Sequence, residues 1–297
     1  MKLTRNQFDV LVASEAAGIP LSQRELAVEV GKSVGTVNKV VAELAEYALI
    51  KDGLITGKGL YTLEPYRVKR AVFIAAGFGS RMVPITLNTP KPLVRVGGVR
   101  IIDTLLDAVV AAGIEEIIIV RGYLGEQFDQ LLSKYPSIKF LDNPMYNEAN
   151  NISSALVAKD YMQNAYVFEA DLVLSNKKLV QKYQYCSNYL GVPVDKTNDW
   201  CFITKNGYIS EFIQGGYDCY HMFGISFWTE EDGKRLAKDI ERACDFPGGM
   251  ERYWDQVALD YFIKEYKVEV RECSFEDLVE IDSFNELKEI DPTYSCI

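Results

Sequence analysis

The sequence is poor in the residues that build metal and redox centres. It has one histidine, His221, and six cysteines (Cys186, Cys201, Cys219, Cys244, Cys273, Cys296) with no C-x-x-C pair among them. This excludes a His-rich metal site and argues against a zinc ribbon or a disulfide framework. His221 reads as a packing or loop residue, and scattered cysteines fit a reducing cytoplasm. No apolar run is long enough to span a bilayer. The start, Met1-Lys2-Leu3-Thr4-Arg5, runs on into mixed polar sequence, unlike a signal peptide. The expected location is therefore cytoplasmic, with no membrane partner. There is no internal repeat and no low-complexity segment.

What is present is a chain of two-domain length, 297 residues, 48% of them hydrophobic. Its net charge of −10 is uneven: residues 1–70 carry +2 and the remainder −12. Within residues 1–65 the spacing predicts helices over Gln7–Ala17, Ser22–Val30 and Ser33–Tyr47. The second opens on a capping box, Ser22 with Glu25 three residues on. The third carries Val34, Val37, Val41, Leu44 and Ala48 at helical spacing. Strands are expected at Leu49–Lys51 and Leu60–Leu63, around a turn containing Gly53, Gly57 and Gly59. Three helices and a two-stranded wing make a winged helix-turn-helix pattern, and LSQRELAVEVGKSVGTVNKVVAELAEYALI strongly resembles that family. The resemblance implies a recognition helix starting at Ser33, with Thr36 and Lys39 on its exposed face and Asn38 at the flank. Duplex DNA and a homodimer are the corresponding partners. A dimerisation or docking module is the alternative, since +2 is weak for a DNA reader.

Residues 66–297 read as a second domain, entered through the linker Glu64-Pro65-Tyr66-Arg67. Strand patterns (Ala71–Ala76, Glu116–Arg121, Ile138–Leu141, Ala165–Phe168) alternate with helical ones (Ile101–Ala112, Leu124–Tyr135, Asn151–Met162). That is a doubly wound, Rossmann-like α/β pattern. The first strand runs into Gly77-Phe78-Gly79-Ser80-Arg81-Met82, with Thr89-Pro90-Lys91-Pro92 beyond it. Glycines let a backbone approach a ligand and free its N–H groups for phosphate oxygens. Ser80, Arg81 and Lys91 add donors and positive charge. The pattern is neither a Walker loop nor the dinucleotide fingerprint. Asp171, just past the strand ending at Ala170, sits where a carboxylate can hold Mg²⁺ between phosphates. Glu169 lies inside the strand and is the poorer candidate. A second acid is offered by Asp282 with Glu280, or by Asp255.

The loop resembles the signature of nucleotidyltransferases, A-A-G-x-G-[ST]-R-[ML] followed by P-K. Residues 70 to about 290 resemble the bacterial CTP:phosphocholine cytidylyltransferases more closely, through AAGFGSRMVPITLNTPKPLV, GYLGEQFD, NNISSAL, EADLVL, TNDWCF, GISFWT, YWDQ and EIDS. The resemblance implies a nucleotidyltransferase-A fold and Mg²⁺-dependent formation of CDP-choline and pyrophosphate from CTP and phosphocholine. It implies that Asp171 and Asp282 bind the metal and, with Arg81 and Lys91, form the catalytic set. Ala75, Ala76, Gly77, Gly79, Ser80, Arg81, Lys91 and Asn151 would face the nucleotide. Trp200, Tyr253, Trp254 and Asp255 would surround choline, and aromatic faces beside acids do suit a quaternary ammonium. The same chemistry on phosphoethanolamine, an aminophosphonate or a sugar phosphate is the alternative. A DNA-binding regulator that uses the domain as a ligand sensor is another. The segment Gly215-Gly216-Tyr217-Asp218-Cys219-Tyr220 departs from simpler family members.

Overall fold

The structure, a computed structural model, describes residues 1–296; Ile297 and the Cys296 side chain lie outside the described part. The chain divides into two compact units. One holds Met1–Arg67 with Tyr183–Tyr185, the other Val68–Lys182 and Cys186 onward.

The first unit has helices α1 (Arg5–Ala17), α2 (Gln23–Glu29) and α3 (Val34–Glu46), strands β1 (Ile50–Lys51) and β2 (Leu54–Ile55), and helix α4 (Gly57–Leu63). The capping box at Ser22 and Glu25 forms as the spacing predicts. A second box, Thr4 with Gln7, starts α1 two residues earlier than expected. On α3 the buried stripe is Val37, Val40 and Leu44, while Val34 is exposed and Ala48 lies past the helix end at φ 55°. The expected strand at Leu60–Leu63 is instead α4. Thr56 caps it by accepting from the Gly59 N–H (3.0 Å), and the Thr62 hydroxyl bonds back to the Lys58 carbonyl (2.7 Å). These local bonds outweigh the β preference of a Tyr-Thr pair. The hairpin is β1 with β2, turning at Asp52-Gly53. Tyr66 and Tyr185 stack at 5.7 Å against Phe8 and close this core.

The second unit contains β3 (Arg70–Ala75), β4 (Arg95–Val96), β5 (Val99–Arg100), α5 (Ile101–Ala111), β6 (Glu116–Arg121) and β7 (Ile138–Asp142). It continues with α6 (Ile152–Ala158), β8 (Ala165–Glu169), β9 (Leu172–Leu174), β10 (Asn188–Lys205) and β11 (Tyr208–Trp228). It ends with α7 (Glu230–Cys244), β12 (Glu269–Glu272), β13 (Leu278–Glu280) and α8 (Phe284–Ile290). The expected helix Leu124–Tyr135 is a 3₁₀ run, Gly125–Ser133. The expected helix Asn151–Met162 gives way after Ala158 to a 3₁₀ turn, Lys159–Tyr161.

Seven strands form one sheet in the order β12-β10-β11-β8-β3-β6-β7. β8, β3, β6 and β7 are parallel, while β11 runs antiparallel to β8. Alternate residues of each central strand enter opposite cores. Ala71, Phe73, Ile117 and Ile119 face α5 on one side; Val72, Ile118 and Val120 face α6 and α7 on the other. Burial on both faces explains why these strands read as unbroken apolar runs. Parallel pairing of β3 with β8, Ile74 opposite Glu169, brings the Gly77 loop and Asp171 to one sheet edge.

Among the described residues no helix is long and apolar enough to cross a membrane. Cys201, Cys219, Cys244 and Cys273 are free thiols. His221 lies on β11, hydrogen-bonded to Thr197 (3.1 Å) and packed on Phe223 and Phe275. Burial holds its pKa below the ordinary value, against the opposing pull of Asp199.

Candidate active site

Four segments far apart in sequence meet at the carboxyl edge of the sheet. The loop after β3 is shaped by Gly79, at φ 67°, where a Cβ would press on Lys91 (3.1 Å) and Thr86 (3.2 Å). Thr86 Oγ1 donates to the Gly79 carbonyl (2.9 Å) and ties the loop back on itself. The Pro90-Lys91-Pro92 turn then directs Lys91 inward, where it is 8% exposed. Asp171 follows β8. Asp282 arrives from the C-terminal segment, which is held in three ways. β13 pairs with β9, the Ile281 N–H donates to the Asp171 carbonyl (3.3 Å), and Ile281 packs on Met82 and Ile101. The capping box of α8, Ser283 with Glu286, also holds the Asp282 N–H through Glu286 Oε2 (2.7 Å).

Lys91 is the hub of this edge. Its Nζ donates to Asp171 Oδ2 (2.8 Å) and Asp282 Oδ1 (3.0 Å), and Arg81 donates to the same Asp282 oxygen (2.7 Å). Burial alone would lower the lysine's pKa, but the two carboxylates outweigh it and hold it above the ordinary value. Lys91 is thus a fixed positive charge in a poorly hydrated site.

A second group of acids shares Lys91 as its nearest counter-charge and is compensated less completely. Carboxylate oxygens of Glu169, Asp171 and Glu280 all lie within 4.8 Å of one another. Asp171 Oδ1 is buried with no hydrogen-bond partner. Burial, then Asp255, Asp171 and Glu280, push the Glu169 carboxyl well above the usual carboxylate range. Burial, with Asp171 and Asp282, does the same to Glu280. Crowded hard oxygens with one orphaned atom fit a divalent cation. Asp282 is not in this group, because Lys91 stands between it and Asp171. Glu169 was the weaker candidate on sequence because it ends a strand. Gly224 on the neighbouring β11 gives it space, since a Cβ there would fall 2.5 Å from the Glu169 side chain.

All these groups line one cavity of about 350 Å³. Ala75, Gly77, Gly79, Arg81 and Asn151 are on its wall, as are Trp200, Tyr253 and Asp255. Trp200 stacks on Phe212 (4.5 Å) and meets Tyr253 edge-on (5.9 Å). Asp199, the acid next to Trp200, lies on this side as well, and Phe212 and Gln214, which were not anticipated, complete it. Asp255 accepts from the Tyr189 hydroxyl (2.6 Å), and burial raises its pKa to about 6 although that bond opposes the shift. Asn151 is fully engaged, donating to Glu169 Oε1 (3.3 Å) and accepting from the Trp254 N–H (2.9 Å).

Three expected site residues are placed elsewhere. Ala76 is buried behind the wall, its carbonyl accepting from the Tyr123 N–H (3.0 Å). Ser80 is exposed and opens the 3₁₀ turn that carries Arg81. Trp254 is 1% exposed, its ring among Tyr189 and Trp228, so its apolar area is spent on the core.

Residues 70–197 match the Nucleotidyl transferase family. The chain is 38% identical over 228 residues to a 2-aminoethylphosphonate cytidylyltransferase of Lancefieldella rimae, covering 75% of this chain and 92% of that one. It is 33% identical to the choline-phosphate cytidylyltransferase of Streptococcus pneumoniae, covering 75% and 96%. The solved structure of the CTP:phosphocholine cytidylyltransferase from Streptococcus pneumoniae superposes with a TM-score of 0.70 at 32% identity, over 76% of this chain and 99% of that one. With an acid-and-lysine edge beside the Gly77 loop and relatives matched over nearly their whole length, this chain belongs to the nucleotidyltransferase family and is an enzyme of that class.

Proposed function

We propose that this enzyme transfers a cytidylyl group from CTP to a small acceptor that carries a phosphoryl or phosphonyl group and a cationic amine, releasing pyrophosphate. An acceptor oxygen attacks the α-phosphorus in line, and the bond from that phosphorus to the pyrophosphate oxygen breaks. The nucleophile is already anionic, so no covalent intermediate or strong base is required. The observation that carries the reading is one cavity with Lys91 buried between two aspartates and an aromatic wall of Trp200, Phe212 and Tyr253. Lys91 and Arg81 bind and orient the triphosphate and oppose charge that builds in the transition state. Mg²⁺, with Asp171 as a ligand and Glu169, Glu280 or Asp282 beside it, would supply further charge neutralisation on the phosphate oxygens.

For the acceptor, phosphocholine is the first reading. A trimethylammonium group cannot donate a conventional hydrogen bond and is held best by ring faces with acids nearby. 2-Aminoethylphosphonate is the second. Asp199 and Gln214 on the same wall offer acceptors for a primary ammonium, and the Lancefieldella rimae relative carries that name. Pyrophosphate release across CTP, UTP, ATP and GTP, each with phosphocholine, phosphoethanolamine, 2-aminoethylphosphonate and a sugar phosphate, tests both readings. CTP with one of the cationic acceptors is the expected best pair. A preference for the sugar phosphate overturns the reading.

For the first unit we infer a winged helix-turn-helix domain that binds duplex DNA as a dimer. Support comes from α3, which Ser33 caps by accepting from the Thr36 N–H (3.1 Å) and which leaves Asn38 and Lys39 exposed, and from Lys51 on the hairpin. Lys58, on α4, donates instead to the Tyr47 carbonyl (2.9 Å) and adds no free charge to the hairpin. A gel shift on the gene's own upstream region at low salt is the test. No shift, with dimerisation retained, returns the unit to a docking role.

A further inference from the structure

The aromatic wall depends on a short segment, residues 249–256, that carries Tyr253 and Asp255 from the end of α7 to the cavity. Much of its bonding is local. Arg252 N–H donates to the Gly249 carbonyl and Gln256 N–H to the Tyr253 carbonyl (both 3.2 Å), and Gln256 Oε1 accepts from the Tyr253 N–H (3.1 Å). Turns of this kind shape a segment without fixing where it sits. Among the described residues, four hydrogen bonds reach residues 250–255 from distant parts of the chain. Asn150 provides two: its N–H donates to the Met250 carbonyl (2.8 Å) and its Nδ2 to the Glu251 carbonyl (3.1 Å). Asn151 provides the third, to the Trp254 N–H, and Tyr189 the fourth, to Asp255.

Asn150 is itself held at the start of α6. Its Oδ1 accepts from the Asn151 N–H (2.7 Å), and its carbonyl accepts from the Ser153 N–H (3.0 Å) and hydroxyl (2.8 Å). The next residue, Asn151, reaches Glu169 in the acidic cluster. One dipeptide therefore fastens the aromatic segment to the helix that adjoins the acids. Asn150 does not line the cavity.

We propose that Asn150 is a positioning residue for the acceptor: by gripping Met250 and Glu251 it sets the position of Tyr253 relative to the catalytic acids. The inference rests on the acceptor reading of that wall. Its physical basis is that Trp254 and Asp255 are fixed by burial, whereas Glu251, Arg252 and Tyr253 are exposed and the Asn150 amide is the side-chain donor that reaches this stretch from outside it, so losing that donor loosens the exposed half of the segment.

The test compares Asn150→Ala and Asn150→Asp with the wild-type protein. Asn150→Asp keeps the oxygen that accepts from Asn151 and puts a charged oxygen in place of the donor to Glu251. Both variants should raise the KM for the acceptor roughly three- to fivefold, the scale of the net loss of one hydrogen bond at an exposed carbonyl. The KM for CTP, and kcat at saturating acceptor, should stay within about twofold. Amide hydrogen exchange at residues 251–253 should quicken while β8 stays protected. A wild-type acceptor KM in Asn150→Asp, an equal rise in both KM values, or unchanged exchange at 251–253 overturns the proposal. If the wild-type protein turns over no cationic acceptor, the acceptor reading falls by itself, and the exchange measurement alone decides whether Asn150 positions the segment.

Discussion

The two walls of the cavity are built on opposite principles. The charged wall is an array of ions in which compensation is uneven: Asp282 receives two cations, whereas Glu169, Asp171 and Glu280 crowd together with Lys91 as their nearest counter-charge. The aromatic wall is nearly neutral and made of ring faces. In the proposed reaction the first wall faces the charge that changes during nucleotidyl transfer, and the second faces a part of the acceptor that does not react. The first should govern kcat and the second acceptor choice, because only interactions that strengthen in the transition state raise turnover.

The largest effect is expected on the charged wall. Asp171→Asn removes the negative charge that pairs with Lys91 and one of the two oxygens that fit a divalent cation. It should lower kcat by on the order of 10³-fold with the fold intact by circular dichroism. A variant with near-normal turnover would break the division at its strongest point. Stripping divalent cations with a chelator should produce a loss of similar size that Mg²⁺ restores.

Lys91→Ala should come next, with kcat falling about 10²-fold and the KM for CTP rising less. The variant leaves Asp171 and Asp282 facing each other without their shared cation. A change confined to KM would move Lys91 from transition-state stabilisation to simple binding.

Trp200→Ala probes the other wall. The KM for phosphocholine should rise by roughly tenfold or more, corresponding to a cation–π loss of about 1–2 kcal/mol, while kcat stays close to wild type. The preference for phosphocholine over phosphoethanolamine should narrow. If kcat collapses instead, the two walls are not separable.

The smallest effect concerns stability. Asp255 is buried, and its carboxyl titrates near 6, above the ordinary aspartate value. The folded state therefore binds the proton more tightly than the unfolded state does. Stability from this group is present in full at low pH and falls as pH rises from the ordinary aspartate range through about 6. Asp255→Asn should flatten that fall, by on the order of 1–3 kcal/mol. Thermal midpoints of the two ligand-free proteins between pH 4.5 and 7 give the comparison, and parallel curves would remove Asp255 as the titrating group.

How much of this was legible depends on how local each signal is. The strand into Gly77, the Pro90-Lys91 turn and Asp171 past β8 lie in continuous stretches whose chemistry needs no partner to be recognised. Apolar periodicity located the four parallel strands within a residue or two, because both faces of β3, β6 and β8 are buried and the edge strand β7 still carries Ile138, Phe140 and Leu141. Glu169 was undervalued for the same reason: a strand pattern says which residues alternate, but not that the last one turns into a cavity. That outcome requires Gly224 on β11, 55 positions away in the sequence, to leave room. Trp254 failed in the opposite direction. An aromatic next to an acid suits a cationic ligand, yet the same indole is worth as much in a core, and here Tyr189 and Trp228 surround it. At Leu60–Leu63 a β-prone stretch became helix because Thr56 and Thr62 satisfy the backbone locally.

By itself the sequence determined the α/β class, the Gly77 loop after the first strand, the lysine, and the two aspartates that lysine joins, since each is written in adjacent residues or in period. Only the tertiary structure decided that Lys91 would be shared between Asp171 and Asp282, that Glu169 and Glu280 would join Asp171, and that Trp200 rather than Trp254 would face the cavity. Those outcomes turn on distances between side chains from separate strands, set by sheet register and by where a glycine leaves space, and no local pattern carries that information.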